Sequence, residues 1–538
     1  MNRQLHAILL CALCSHGALA SENLPDDDTL EAQQYVVGSI SLQKANVFDL
    51  NNPEENSWLY RTANRLHVLT RDKTIRKQLL FTSGDLYDKR LIEESERLLR
   101  RNKYLYDAQI KATRATNGTV DLVVETKDVF SMSPEVALSR SGGETRWRFG
   151  FEEDNLLGRG QQLSVFHEDD IERNGNTIEF SDRNVGTNWV SLLARYSDNS
   201  DGETQLLSIA RPFYALDTRW SAGGSLLNDD RQNKLYQYAT AAAEYRHERQ
   251  YAHLFGGWSR GLNNGKVLRW TAGFVHNDND FSPAPDSTLL SVVPEDRKLV
   301  YPYFGFELVE DGYVTARNRD QIDKTEDFQM GLQLRGSLGW ASTELESDRN
   351  AAVFSAGASH GFGSVQDDVL LLSTSTSGRL ESGDLANTLL SASARYYRRQ
   401  SASSTFYAAI AGTAGRDLDL DNPVALGGTT GMRGYPFNYQ VGESKLLATI
   451  EQRYYTDWYP FRLARVGTAV FFDAGRVWGP NPLGDDNRDW IADIGFGIRL
   501  AMTRIGSGRV VHIDFAFPLG SDATIDKMQV LIEAKRSF

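Results

Sequence analysis

Met528-Gln529-Val530-Leu531-Ile532-Glu533-Ala534-Lys535-Arg536-Ser537-Phe538 is the stretch that decides the fold. Its side chains alternate with a period of two. Met528, Val530, Ile532, Ala534, Arg536 and Phe538 fall on one face; Gln529, Leu531, Glu533, Lys535 and Ser537 fall on the other. That pattern belongs to a strand with one face in lipid and one toward a polar interior. Arg536 sits near the strand end, where a long cationic side chain can snorkel to the interface.

The four segments before it repeat the pattern. Val511, Ile513, Phe515 and Phe517 alternate with His512 and Asp514. Ala492, Ile494, Phe496 and Ile498 follow Trp490 and alternate with Asp493, Gly495, Gly497 and Arg499. Val470 and Phe472 alternate with Phe471 and Asp473, and Leu446, Ala448 and Ile450 with Thr449, Glu451 and Arg453. One inner wall is therefore expected to carry Glu451, Arg453, Asp473, Asp493, Arg499 and Asp514.

Apolar/polar alternation continues back to about Ser131, broken by Asn, Asp, Gly and Ser clusters, as at Trp147, Phe149 and Phe151. No apolar run reaches the ~18 residues of a membrane-spanning helix beyond the first residues. A barrel escapes that test because its lipid-facing half is hidden by averaging. The expected fold is mainly β: a closed antiparallel transmembrane β-barrel with a small N-terminal α/β domain. About 25 residues per strand and connection predict about sixteen strands, an even number, since an open edge cannot be satisfied in lipid. The 22 Tyr, 25 Phe and 10 Trp suit interfacial girdles, and 45 Gly against 14 Pro suit close strand packing.

Met1 to Arg3 are basic, Ala7 to Leu13 apolar, and Ala18-Leu19-Ala20 is a small-residue cleavage site. Residues 1–20 are therefore expected to be a secretory signal peptide. Both cysteines, Cys11 and Cys14, fall inside it, which removes disulfides and cysteine chemistry from the exported chain. The formal charge of −13 disfavours a general nucleic-acid binder.

Residues 21–34, with Asp26-Asp27-Asp28, are expected to be a flexible acidic leader. Residues 35–130 alternate between types of element: a strand over Tyr35 to Leu42, helices around Trp58 to Val68, Thr74 to Leu80 and Asp88 to Arg100, and strands over Tyr104 to Ala112 and Thr119 to Thr126. Asn117-Gly118 is the turn between the last two, and Asp85 or Asp88 would cap the long helix. Residues 131–538 form the barrel.

The β-α-α-β-β order resembles a polypeptide-transport-associated (POTRA) domain. Ser83-Gly84-Asp85-Leu86-Tyr87-Asp88, Leu91-Ile92-Glu93-Glu94-Ser95, Leu98-Leu99-Arg100 and Tyr104-Leu105-Tyr106-Asp107-Ala108 carry the likeness. The stretch from Asn46 to Arg71 is longer than that family usually has. Leu426-Gly427-Gly428-Thr429-Thr430-Gly431-Met432-Arg433-Gly434-Tyr435-Pro436 resembles the signature loop of the BamA/TamA superfamily of outer-membrane barrels, and Asn155-Leu156-Leu157-Gly158-Arg159-Gly160 is also similar. The resemblance implies that the loop folds into the lumen and that Arg433 meets Glu451 and Asp473 on the inner wall. It implies a C-terminal assembly signal in Val530, Ile532 and Phe538. It further implies unfolded polypeptide clients, a periplasmic POTRA unit, a weak seam between first and last strands, and a periplasmic or inner-membrane accessory protein. Outer-membrane lipids are the other expected partner, and no cofactor or metal is implied.

Two constellations are set aside. Gly357-Ala358-Ser359-His360-Gly361 has nucleophile-elbow spacing but lies in an alternating strand pattern, so a barrel-anchored hydrolase is disfavoured and no enzyme is expected. Asp417, Asp419 and Asp421 lack the glycine and bidentate glutamate of an EF-hand and read as a solvated loop. A passive porin is the remaining alternative.

Overall fold

Asp26 accepts a hydrogen bond from Thr29 N at 2.9 Å, which opens helix α1 (Asp27–Ala32). The computed structural model describes residues 24–285, 287–483, 489–505, 508, 510–520 and 525–535. The expected signal peptide and Phe538 lie outside these residues. The leader is not flexible throughout: Leu30 on α1 is fully buried in the core of the α/β domain, which holds the helix in place.

Strand β1 (Val36–Ala45) follows, then helices α2 (Trp58–Leu66), α3 (Asp72–Arg76) and α4 (Lys89–Arg100). Asp88 caps α4 through Leu91 N at 3.0 Å. Helix α3 stops short of the expected Leu80 because Leu80 N turns to the Ser95 hydroxyl, at 2.9 Å, instead of a helical carbonyl. Strands β2 (Leu105–Thr116) and β3 (Thr119–Asp128) pair across Asn117 and Gly118, both at positive φ. The sheet order is β1-β3-β2, with β1 parallel and β2 antiparallel to β3. Ile75, Leu99, Leu105 and Leu122 meet Leu30 in one core. Each such side chain contributes about 1.5–3 kcal/mol on leaving water.

The barrel closes with twenty strands, from Met132–Ser141 to Gln529–Lys535, which corrects the expected sixteen. The excess comes from tight connections. Gly142-Gly143, Tyr238-Ala239, Asn264-Gly265 and Ser382-Gly383 join neighbouring strands with both residues at positive φ. Such two-residue turns match the strand twist and consume far less chain than the allowance of about 25 residues per unit assumed. Along the last strands the parity is as expected: Val470, Phe472, Ile494, Phe496 and Phe517 are exposed, while Asp473, Asp493 and Asp514 are buried.

Neighbouring strands in the wall share long ladders, seven pairs between Val510–Pro518 and Gln529–Lys535 for example. The barrel closes between its last and first strands. Among the described residues, the last and first strands register only at Ile532↔Arg140.

Further elements pack at both ends of the barrel. A hairpin of Tyr313–Ala316 and Glu326–Gln329 lies at the lower mouth, against the α/β domain. At the upper end three long strands, Trp220–Gln237, Thr240–Asn263 and Lys266–Pro283, outrun the ~9–11 residues of a spanning strand. Their buried Leu235, Tyr245 and Phe281 are covered by Leu420 and Leu483 from loops.

Candidate functional site

The connection from strand Ser404–Arg416 to strand Ser444–Tyr455 turns back into the lumen. Gly431 takes φ +111°, and an added Cβ there would lie 2.3 Å from Leu447 Cδ2. A Cβ on Gly434 would lie 2.6 Å from Asp493 Cβ. Glycine is what lets this loop approach the wall so closely. Leu426, Met432, Tyr435 and Tyr439 bury their side chains against Val477 and Ile491, so the loop has a core of its own.

That packing delivers Arg433 to the carboxylates. Its Nε and Nη2 donate to Asp473 Oδ2 and Oδ1 at 2.7 and 2.9 Å, and Nη1 donates to Glu451 Oε1 at 2.7 Å. The guanidinium lies 3.4 Å from the centre of the Phe471 ring. Gly434 N donates to Asp493 Oδ2 at 2.8 Å, and Thr449 Oγ1 to Asp473 Oδ1 at 2.8 Å. Arg433, Glu451, Asp473 and Asp493 are all buried, so these are charge-assisted bonds shielded from bulk solvent. The structure thus brings together Arg433, Glu451 and Asp473. It places Gly427, Gly428, Met432, Gly434 and Tyr435 in the supporting turn, and Val530 and Ile532 apart from them on the terminal strand.

The loop also reaches the first hairpin of the barrel. Phe437 N donates to Gly142 O at 2.9 Å, and a Cβ on Gly428 would lie 2.3 Å from Gly142 N. The Phe437 ring meets Tyr236 edge-on at 5.1 Å. One loop therefore touches the turn after the first strand and the wall built by the last five.

A chain of contacts unforeseen in the sequence runs downward from the lock. Glu451 Oε2 accepts from Arg453 Nε at 2.9 Å, and Arg453 Nη1 donates to Arg319 O at 2.8 Å. Arg319 belongs to the lower hairpin, whose Asp327 accepts from Arg100 Nη2 and Nε on α4 at 2.6 and 3.0 Å. Arg319 lies in the irregular tip of this hairpin and Asp327 in its four-residue second strand, too short for a periodicity to mark it. Arg453 was visible only as an inward residue.

The Asn155–Gly160 turn is the second joint. Asn155 Nδ2 donates to Thr70 Oγ1 at 2.9 Å, Arg71 Nε to Leu157 O at 2.8 Å, and Thr74 Oγ1 to Gly158 O at 2.8 Å. Gly158 and Gly160 both take positive φ, and a Cβ on Gly158 would lie 2.7 Å from Leu69 O. Beside this turn Asp154 is pushed up to about 7, first by burial and then by the charge of Glu152; Lys103, 3.6 Å away, opposes the rise.

The remaining constellations resolve differently. Ser359 sits mid-strand with its hydroxyl 3.4 Å from Gln333 Oε1, with no turn-to-helix elbow around it. Asp419 and Asp421 are not a solvated run: Arg379 grips Asp419 at 2.8 and 2.9 Å, and Arg297 reaches Asp421 at 2.8 Å. Arg379, near the end of strand Asp368–Glu381, and Arg297, at the start of strand Arg297–Glu310, recruit them.

Residues 67–127 match the POTRA family, described as surface antigen variable number repeat, so the unit below the barrel is a POTRA domain. No curated protein matches the sequence. Among solved structures, BamA from Haemophilus ducreyi lacking POTRA domains 1–3 is 14% identical, with TM-score 0.38, over 91% of this chain and 84% of that one. CdiB from Acinetobacter baumannii is 12% identical, with TM-score 0.43, over 93% and 74%. CdiB from Escherichia coli is 13% identical, with TM-score 0.42, over 92% and 76%. Likenesses of that size carry no functional weight.

Proposed function

We propose that this BamA/TamA-type barrel sits in the outer membrane of a Gram-negative cell and inserts or translocates polypeptides, with its POTRA domain in the periplasm. The observation that carries the reading is the POTRA domain held against the lower mouth and linked, through Arg100, Asp327, Arg319 and Arg453, to the Arg433 lock. A barrel that only conducts small solutes has no need of a domain that binds extended chain at a sheet edge. The chemistry is non-covalent: a client strand is captured by backbone pairing and passed toward the seam where the last strand meets the first, at Ile532↔Arg140.

Depletion of the protein, followed by an inventory of outer-membrane and secreted proteins, tests the reading. Loss of a defined subset of exported proteins is the expected result, and an unchanged inventory overturns it.

The passive-channel reading has one observation in its favour. Ser373, Ser375, Ser391 and Ser393 form a hydroxyl-rich wall beside Arg335 and Glu307, around a cavity of about 360 Å³. A high, steady single-channel conductance unaffected by Arg433→Ala would favour it.

A further inference from the structure

The segment from Asn46 to Leu66 precedes the residues that match the POTRA family. It is nonetheless firmly placed. Arg504 donates to Val47 O and to Glu55, Arg462 pairs with Glu54, and Tyr60 Oη donates to Phe461 O at 2.7 Å. Arg462 and Phe461 lie in the connection between strands Ser444–Tyr455 and Ala464–Trp478, and Arg504 lies just below strand Ile491–Met502. Inside the segment, Phe48 stacks on Tyr60 at 4.4 Å, and Asn64 exchanges hydrogen bonds with both backbone groups of Phe48. Helix α2 is therefore fixed to the rim of the barrel through the face bearing Tyr60 and Asn64.

Among the described residues, none covers the other face. Trp58, Leu59, Thr62 and Leu66 fall within about 100° of one another on a helical wheel. Trp58 is 71% exposed, Leu59 55% and Leu66 62%, and no residue of α2 is buried. Next to it, Trp458 is exposed and Phe461 is 80% exposed. This apolar surface is continuous with an established one. Tyr454 and Ile450 on one adjoining strand, and Val470 and Phe472 on the other, belong to the outward belt of the barrel. Exposed Arg61 and Arg65 flank the apolar face of the helix, as cations do on helices that lie at a phospholipid surface.

We infer that α2 and the Trp458–Phe461 connection form a membrane foot, seated in the headgroup and acyl boundary of the leaflet on the POTRA side. Trp58, Leu59, Leu66 and Phe461 enter the apolar boundary, and Arg61 and Arg65 meet lipid phosphates. The occupant is the phospholipid leaflet itself. The foot then fixes the height and tilt of the POTRA domain next to the last strands of the barrel.

Site-directed spin labelling in the full chain tests this. With Cys11→Ser and Cys14→Ser, Thr62→Cys carries a unique nitroxide, and Asn51→Cys serves as the exposed control on the same segment. The protein is refolded into phosphatidylethanolamine–phosphatidylglycerol vesicles, and the mobility of the unheated protein on gels confirms that the barrel has inserted. At Thr62 the ratio of collision with oxygen to collision with an aqueous nickel chelate is expected to exceed the control by about threefold or more, as for an interfacial helix. Adding Leu59→Ser, Leu66→Ser and Phe461→Ser should return that ratio to the control value. Equal ratios at Thr62 and Asn51 in an inserted barrel overturn the inference. So does shielding of Thr62 from both reagents, which would mean that protein covers the helix. An unchanged ratio in the triple variant also overturns it.

Discussion

Arg433 and Asp473 meet in a two-point pair, Nε to Oδ2 at 2.7 Å and Nη2 to Oδ1 at 2.9 Å, inside the lumen and with Asp473 fully buried. The geometry is specific to a guanidinium, because an ammonium cannot present two parallel donors. Arg433→Ala leaves Asp473 and Glu451 facing each other without their common cation. The expected cost is about 3–5 kcal/mol of barrel stability, as for loss of one partner of a buried pair. A urea titration of folded against unfolded gel mobility reads it. Arg433→Lys should recover less than half of the loss; full recovery would show that charge alone matters.

Gly434→Ala tests the approach of the loop rather than its charge. The new Cβ would lie 2.6 Å from Asp493 Cβ and 3.1 Å from Pro518 N, and neither is a flexible side-chain end. The loop must lift, lengthening the Gly434 N to Asp493 bond and drawing Arg433 off Asp473. Protease should cut the 427–439 segment faster in this variant than in the parent. Equal rates would mean that the wall can yield.

Arg453 joins the upper loop to the lower hairpin, through Glu451 on one side and the Arg319 carbonyl on the other. Arg453→Met keeps the length and removes the donors. Losing a charged hydrogen bond costs about 1.5–3 kcal/mol. Hydrogen exchange in residues 313–329 should therefore rise about tenfold or more, since each 1.4 kcal/mol is a factor of ten. Exchange confined to the upper loop would break the proposed linkage.

What the sequence made legible follows from period and composition. Strand parity is readable from alternation alone, which puts Glu451, Asp473 and Asp493 inward and Phe472 and Phe496 outward, where their burial and exposure agree. The pairing of Arg433 with two of these rests on the resemblance of its glycine-rich loop to the signature loop of the BamA/TamA superfamily. Strand number was not legible, since a two-residue turn such as Tyr238-Ala239 has no marker residue and merges two strands into one run. The contact of Asp327 with Arg100 joins residues 227 positions apart across two domains, and no local pattern encodes it. Leu30 was lost among the aspartates of its own helix.

The seam gives a prediction about movement. Among the described residues, Ile532 and Arg140 are the registered pair across it. Cysteines at both positions should cross-link in the resting barrel, because facing residues on antiparallel strands hold their Cβ atoms about 4.5–5.5 Å apart. If clients leave through this gap, the oxidised protein loses its function and regains it on reduction. Full function in the oxidised form would exclude the seam as the exit.

The pH dependence of the POTRA joint follows from Asp154. Burial and Glu152 hold its carboxyl at about 7, above the ordinary 3.8, so the folded joint favours the protonated form. A group raised in this way adds stability that is complete below its unfolded value and is lost as pH climbs through its folded one. Between pH 6 and pH 8 Asp154 should therefore ionise beside Glu152, and the Asn155–Gly160 turn should loosen from Thr70, Arg71 and Thr74. Lys103 lies 3.0 Å from Glu152 and 3.6 Å from Asp154, which limits the effect without reversing its sign. Hydrogen exchange at residues 67–76 measured at both pH values, corrected for intrinsic rates, should show weaker protection at the higher one. Asp154→Asn removes the charge and keeps the shape, so it should flatten the profile. A flat profile in the unaltered protein would mean that Lys103 already compensates both carboxylates.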